Sequence, residues 1–326
     1  MTLILNRDDV ISVLTMADAI EAVEAAFAEL ARGTAVLPLR NAITPPDGLA
    51  LYMPAYLKEM GALACKVVTV YKNNPRDFDM PTTIGKVLLQ DPRTGDVICI
   101  MDGGYLTAVR TGAVSGVATR YLAKNEKAMC VGVFGAGVQA KMQLWAMCEV
   151  RDIIKAYVHD ISEEAADAFV REMGEKLSIE VVRASSGQEI LEQCSIICTA
   201  TSSAIPLFNG ELLREGTHIN GIGSHTPGAR ELDTATIQRS LFVGDSREAC
   251  LKEAGDIIIP IAEGSVNDDH IFAELGEVIV GQKAGRVASS QITLFKSNGL
   301  AIQDAATAKI IYNMAVKKGI GTQIRI

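Results

Sequence analysis

The chain of 326 residues lacks any apolar stretch approaching the ~18 residues that read as a membrane helix, so no transmembrane span is expected. Its first ten residues lack a basic segment followed by an apolar core, and no export signal is read there. Lysine and arginine form no clustered run, and the formal net charge is −8. Nucleic acid is therefore excluded as a partner, because neutralising phosphates takes a basic surface. No G-x-S-x-G elbow occurs, so a Ser-His-Asp hydrolase of that kind is excluded. The seven cysteines, at 65, 99, 130, 148, 194, 198 and 250, show no paired ligand spacing. Cys194-x-x-x-Cys198 has no second pair, so no metal is expected. Their odd number and apolar surroundings read as buried thiols of a cytoplasmic protein. Repeats, low-complexity tracts and flexible linkers are missing as well.

What is present is a globular composition, 48% hydrophobic and 21% charged, in a chain long enough for two domains. Residues 8–32 carry one apolar stripe at helical spacing: Val10, Val13, Ala17, Ile20, Val23, Phe27 and Leu30. Short β-rich runs follow at 62–70, 84–90 and 96–101, the last two joined by the turn-forming Asp91-Pro92-Arg93-Thr94-Gly95. A small-residue helix is expected over 105–123. Beyond it strands at 129–134, 153–159, 179–183, 195–200, 217–222 and 241–243 alternate with helices at 138–149, 162–176 and 187–193. That alternation predicts an α/β fold with a parallel sheet covered on both faces. A strand at 291–295 and a helix over 301–318 close the chain. The expected division is an α+β domain, 1–124 plus 299–326, and a Rossmann-type dinucleotide-binding domain, 125–298. Substrate is expected in the cleft between them.

The string Gly135-Ala136-Gly137-Val138-Gln139-Ala140 follows the apolar run 129–134 and opens a helix. Gly135 permits a sharp turn, Gly137 lets the backbone approach a pyrophosphate, and Ala140 keeps helix and strand close. The diphosphate would rest on unpaired N–H groups at the helix N-terminus. Asp160 ends the next strand 25 residues after Gly135, near the spacing of about 20 expected for a carboxylate on the ribose hydroxyls. No arginine follows in His159-Asp160-Ile161-Ser162, which favours NAD over NADP.

Four further segments carry polar groups: CKVVTVYKNNP with Lys66, YLTAVRTGAVSG with Arg110, NGIGSHTPGARELD with Ser224 and His225, and FKSNGLAIQDAATA with Lys296, Ser297 and Asp304. Together with GAGVQA, in this order, they resemble the ornithine cyclodeaminase/mu-crystallin family over essentially the whole length. The last two strings look closest to its alanine dehydrogenase and cyclic-ketimine reductase members. The resemblance implies a homodimer, a nicotinamide cofactor (NAD, with NADP as the alternative) and a small amino or imino acid as substrate. It gives the N-terminal domain a role in substrate binding and dimerisation.

By the same resemblance the substrate carboxylate is held by Arg40, Lys66 and Arg110. A guanidinium suits that task because it grips a planar carboxylate through two parallel hydrogen bonds. Lys66 is expected to hydrogen-bond or protonate the nitrogen, and Asp304 to take part in proton transfer. Gly135, Ala136, Gly137, Val138, Gln139, Asp160, Thr199, Ser224, Lys296 and Ser297 are expected along the cofactor. The cyclodeaminase pattern has an aspartate where this chain has His225, which counts against ornithine cyclisation. His225 itself reads equally as a catalytic group or as a loop histidine bonded to backbone. Three activities stay open in the order dehydrogenase or imine reductase, cyclodeaminase with catalytic NAD, and non-catalytic binder of the mu-crystallin type.

Overall fold

The computed structural model describes residues 1–325, and two compact units share them. Unit 1 is Met1–Arg110 with the chain from Leu300 onward, and unit 2 is Thr111–Gly299. The division thus falls inside the helix Gly103–Leu122, not after it at 124. Gly112 supplies the reason. A Cβ there would stand 2.5 Å from the Met142 carbonyl oxygen, so the later turns of this helix pack backbone-close on the helix Val138–Val150.

Unit 1 contains β1 (Thr2–Leu5), β2 (Ala35–Val36), β3 (Asn41–Ile43), β4 (Leu49–Leu57), β5 (Ala62–Val70), β6 (Thr83–Gln90) and β7 (Val97–Asp102). Together with the C-terminal strand Thr322–Ile324 they form one sheet. From that strand the order runs β1, β7, β6, β5, β4, β2, with β3 also on β4. Among the described residues of this sheet only the β1–β7 pair is parallel. Period-two alternation sorts β5 into two faces. Ala62, Ala64 and Lys66 are buried, whereas Leu63, Cys65 and Val67 are half-buried. Lys66 lies opposite Met53 of β4 and Val87 of β6, both buried. The C-terminal helix Ala301–Lys318 packs on β4, β5 and β6, and the helix Met16–Ala31 packs on that helix. The single helix expected over 8–32 is two, Arg7–Val13 and Met16–Ala31. Leu14 is extended, and the Thr15 side chain accepts from Asp18 N to start the second helix afresh.

Unit 2 is the parallel α/β part. It contains β8 (Met129–Phe134), β9 (Ile153–His159), β10 (Glu180–Arg183), β11 (Ile196–Thr199), β12 (His218–Gly221), β13 (Ser240–Gly244), β14 (Ile271–Glu274) and β15 (Ile292–Lys296). The order is β10-β9-β8-β11-β12-β15-β13-β14, and every pairing is parallel. Successive strands run outward from β8 to β10, then restart on its other side at β11. This reversal makes a crevice at the carboxyl ends of β8 and β11, the place where such sheets bind ligands. The strand β14 was not expected; its residues are too few for a clear alternating pattern. Among the described residues no helix is long and apolar enough to cross a membrane.

Gly135 sits at that crevice with φ +102°, and a Cβ on it would stand 2.6 Å from the Ala200 carbonyl oxygen. Gly135→Ala therefore combines a disfavoured backbone conformation with a backbone clash. It is expected to lose about 1–3 kcal/mol of unfolding free energy, as strained backbone positions typically do. Urea denaturation checks this, and a variant as stable as the parent would contradict the close approach.

Candidate active site

In unit 1 three elements bring charges together out of water. Lys66 comes from the inward face of β5, Arg110 from the helix Gly103–Leu122, and Asp304 from the first turn of the C-terminal helix. All three are buried, at 2%, 6% and 1% exposure. Lys66 Nζ stands 2.7 Å from Asp304 Oδ2, and Arg110 Nε donates to Asp304 Oδ1 at 3.1 Å. One carboxylate thus joins two cations, one on each oxygen. Burial pulls the Lys66 ammonium down to about 8. Asp304 opposes that shift, while Arg110 and Arg40 reinforce it by like-charge repulsion. Arg40, half-buried in the loop between β2 and β3, therefore adds its field to the same place. With Lys66 charged, two cations share one carboxylate, a surplus of one (2 − 1). Such an imbalance attracts an anion, and a planar carboxylate matches the guanidinium donors.

Gln303 belongs to this cluster and went unnoticed in the sequence. Arg110 Nη1 donates to its Oε1 at 2.8 Å, and Gln303 is fully buried. Arginine has no acceptor, so this bond fixes which end of the amide is which. The only available signal was its place beside Asp304 in the string IQDAATA.

In unit 2 the glycine string forms the turn after β8. Gly137 is the N-cap of the helix Val138–Val150 and makes no side-chain cap bond. Nothing lies within 4 Å of where its Cβ would be, and Gly137 and Val138 are exposed. The first N–H groups of this helix thus open outward beside a backbone stripped of side chain, which suits a diphosphate. Gln139 Oε1 is buried with no hydrogen-bond partner. Asp160 accepts from Ala136 N at 2.8 Å and from Ser162 N at 2.8 Å. A carboxylate can accept more bonds than these two, so ribose hydroxyls remain compatible with it. The fit to a dinucleotide is good on all three counts: the open turn, the helix N-terminus and the acid at the end of β9.

Other residues expected along the cofactor are engaged inside the protein. Thr199 Oγ1 donates to Glu231 Oε2 at 2.8 Å. Glu231 also accepts from Thr201 N, Thr201 Oγ1 and Gly223 N at 2.6–2.7 Å. Asp256 Oδ1 holds Glu231 N and Leu232 N, and Lys296 Nζ stands 2.8 Å from Asp256 Oδ2, both side chains fully buried. Ser297 Oγ donates to Asp245, which also accepts from Asn298 N and Gly299 N. Ser224 Oγ donates to Ala229 O. Thr199, Ser224, Lys296 and Ser297 thus all meet protein groups at the carboxyl ends of the central strands. Full burial leaves Thr199 and Lys296 no surface to offer a ligand. Glu231, Asp256 and Asp245 were the missed partners, since nothing in their spacing marks them.

His225 is exposed, and its Nδ1 meets Gly223 O at 2.8 Å. His218 is fully buried with Nδ1 against Thr293 Oγ1, and burial presses it down to about 3, so it stays neutral.

Residues 1–319 match the ornithine cyclodeaminase/mu-crystallin family. A solved structure of Thermococcus litoralis Δ1-pyrroline-2-carboxylate reductase, in complex with NADH and L-proline, is 47% identical, covers 99% of this chain and 100% of its own, and superposes with a TM-score of 0.94. Alanine dehydrogenase of Archaeoglobus fulgidus is 37% identical over 99% of this chain and 98% of its own. A probable ornithine cyclodeaminase from Bordetella pertussis is 28% identical with a TM-score of 0.88, covering 99% and 100% of the two chains.

Proposed function

Because the chain belongs to the ornithine cyclodeaminase/mu-crystallin family, we propose that it is an NAD-dependent oxidoreductase acting on the C–N bond of a small imino or amino acid. The observation that carries this reading is the buried Lys66–Asp304–Arg110 cluster with its surplus of positive charge. A cyclic ketimine carboxylate such as Δ1-pyrroline-2-carboxylate, reduced to L-proline, is the first substrate, since the relative with the highest identity above is a reductase of that compound. Pyruvate with ammonia, giving L-alanine, is the second.

Arg110 and Arg40 hold the substrate carboxylate, and Gln303 and Asp304 keep the Arg110 plane oriented. Lys66 Nζ faces the nitrogen. A protonated imine is the better electron acceptor, so a donor ammonium there lowers the barrier to reduction. Asp304 holds Lys66 in place and stabilises its charged form. Gly135, Ala136, Gly137, Val138 and Gln139 hold the diphosphate, and Asp160 the ribose. The dinucleotide, when bound, supplies the two-electron reducing equivalent.

The protein is also proposed to be a homodimer through the outer face of the unit 1 sheet. There Pro54, Cys65, Leu88 and Ile100 lie in register across four strands, apolar and only half-buried. A second copy is the partner that family membership favours, and apolar sheet faces pack on one another. Light scattering is expected to give twice the 34.8 kDa chain mass, and Ile100→Lys to give the single mass. A parent protein of single mass at micromolar concentration would overturn this.

The activity itself is tested with NADH and Δ1-pyrroline-2-carboxylate, with NADH, pyruvate and ammonia, and with NAD and ornithine. NADH oxidation is expected in the first two and no ammonia release in the third. A neutral imidazole at His225 attracts a distal ammonium far less than a carboxylate would, and a protonated one repels it. Robust ornithine turnover would reverse the order of the two enzyme readings.

The pH dependence follows from Lys66. Its ammonium is the proton donor and titrates near 8, so the rate of imine reduction falls as pH rises through about 8. Amino acid oxidation needs the neutral amine as acceptor and rises over the same window. Lys66→Arg keeps the charge but not the titration. It is expected to lose at least about a hundredfold in kcat, the lower end of general-acid contributions, and to abolish this limb of the profile. An unchanged limb in that variant would remove Lys66 from proton transfer.

A further inference from the structure

Beside Asp160 the structure holds an arginine that the residues following β9 do not reveal. Strands β9 and β10 pair in parallel with Val158 opposite Arg183, so Asp160 and Arg183 emerge from neighbouring strand ends. Both line one cavity, together with His159, Glu163, Ser185 and Glu189. Its lining carries one guanidinium and three carboxylates, those of Asp160, Glu163 and Glu189.

Arg183 is turned onto the helix Glu163–Leu177. Its Nη1 stands 2.6 Å from Glu163, and its Nε 3.5 Å from Asp167, one turn further along. Glu163 is the first residue of that helix and one wall of the cavity. The ion pair is open to water: the side chains of Arg183, Glu163 and Asp167 are 40%, 81% and 52% exposed. Exposed pairs of this kind hold a side chain only loosely. A phosphate dianion offers a guanidinium shorter, paired, charge-assisted bonds.

We propose that Arg183 is a latent receptor for the 2′-phosphate of NADPH, latched away by Glu163 and Asp167, so that Asp160 and this latch together restrict the site to the unphosphorylated dinucleotide. The inference rests on the dinucleotide reading of unit 2. Asp160 rejects the phosphate by repulsion, while Glu163 occupies Arg183, the cation in the cavity's lining. Removing Asp160 alone leaves that cation paired. Removing Asp160 and Glu163 together frees it at the cavity wall, with Asp167 as its remaining and longer contact.

Isothermal titration calorimetry of NADH and NADPH tests this in the parent, Asp160→Ala, Asp160→Ala/Glu163→Gln, and that double variant with Arg183→Ala. The parent is expected to bind NADH at least tenfold tighter than NADPH. Asp160→Ala should recover part of the NADPH affinity, and the double variant should bind NADPH at least tenfold tighter than the parent does. Adding Arg183→Ala should remove most of that gain and leave NADH affinity within about twofold of the double variant. A gain that survives Arg183→Ala, or a parent that binds both dinucleotides alike, overturns the latch while leaving the dinucleotide site standing. A parent that binds neither overturns both. Circular dichroism of each variant separates loss of binding from loss of fold.

Discussion

Asp304 is the residue on which unit 1 depends. Lysine and arginine leave water only when paired, because an isolated buried charge costs several kcal/mol even after relaxation. Here a single carboxylate on the C-terminal helix meets a lysine from the centre of the sheet and an arginine from another helix, one on each oxygen. That arrangement sets the rotation of the C-terminal helix on β5, because a turn of one residue would carry Asp304 away from both cations. It also explains why a chain that enters unit 1 at Met1 returns to it after Gly299. The returning helix brings both the anion that the sheet and the Gly103–Leu122 helix need and the amide of Gln303.

Unit 2 uses the same device for a different end. Its buried carboxylates accept from backbone N–H groups of loops: Glu231 from Thr201 and Gly223, Asp256 from Glu231 and Leu232, and Asp245 from Ser246, Asn298 and Gly299. Loops at the carboxyl ends of parallel strands would otherwise leave those donors unsatisfied, and a buried donor without a partner costs about 1–3 kcal/mol. Fixing them this way holds Ala200–Thr201 close to Gly135 and leaves the N-terminus of the Val138–Val150 helix open. The glycine turn and the acidic network therefore lie at one edge of the sheet.

Much of this was legible in the sequence, for a physical reason that also marks the limit. Strands β8 and β9 and the helix between them announce themselves through apolar runs and glycine punctuation, which are local properties. Lys66 stood out because a lysine among alternating apolar residues must be either surface or site, and its register with Met53 and Val87 decides for the interior. Lys296 and Thr199 show the converse. They lie at strand ends where a cofactor residue is expected, yet their partners Asp256 and Glu231 are 40 and 32 positions away and carry no local pattern. Arg183 was missed for the same reason, since a search confined to the residues after Asp160 stops before the neighbouring strand. The break at Leu14 was missed because the apolar stripe continues through it, although Thr15 three residues before Asp18 is a capping signal.

The two buried lysines, Lys66 and Lys296, differ in how their charge is met. Lys296 faces Asp256 one to one, the pair is neutral, and Asp256 spends its other oxygen on backbone donors. Nothing in that arrangement asks for a further charge. Lys66 shares its carboxylate with Arg110, so two cations meet the single charge of Asp304. Burial alone would make both lysines look alike. On the proposed function, that excess charge is what suits the Lys66 cluster to an anionic substrate. The same excess, added to burial, brings a lysine into the range where it exchanges protons near neutrality. On the function proposed above, binding of a carboxylate and delivery of a proton to the adjacent nitrogen come from one cause: two buried cations on a single carboxylate.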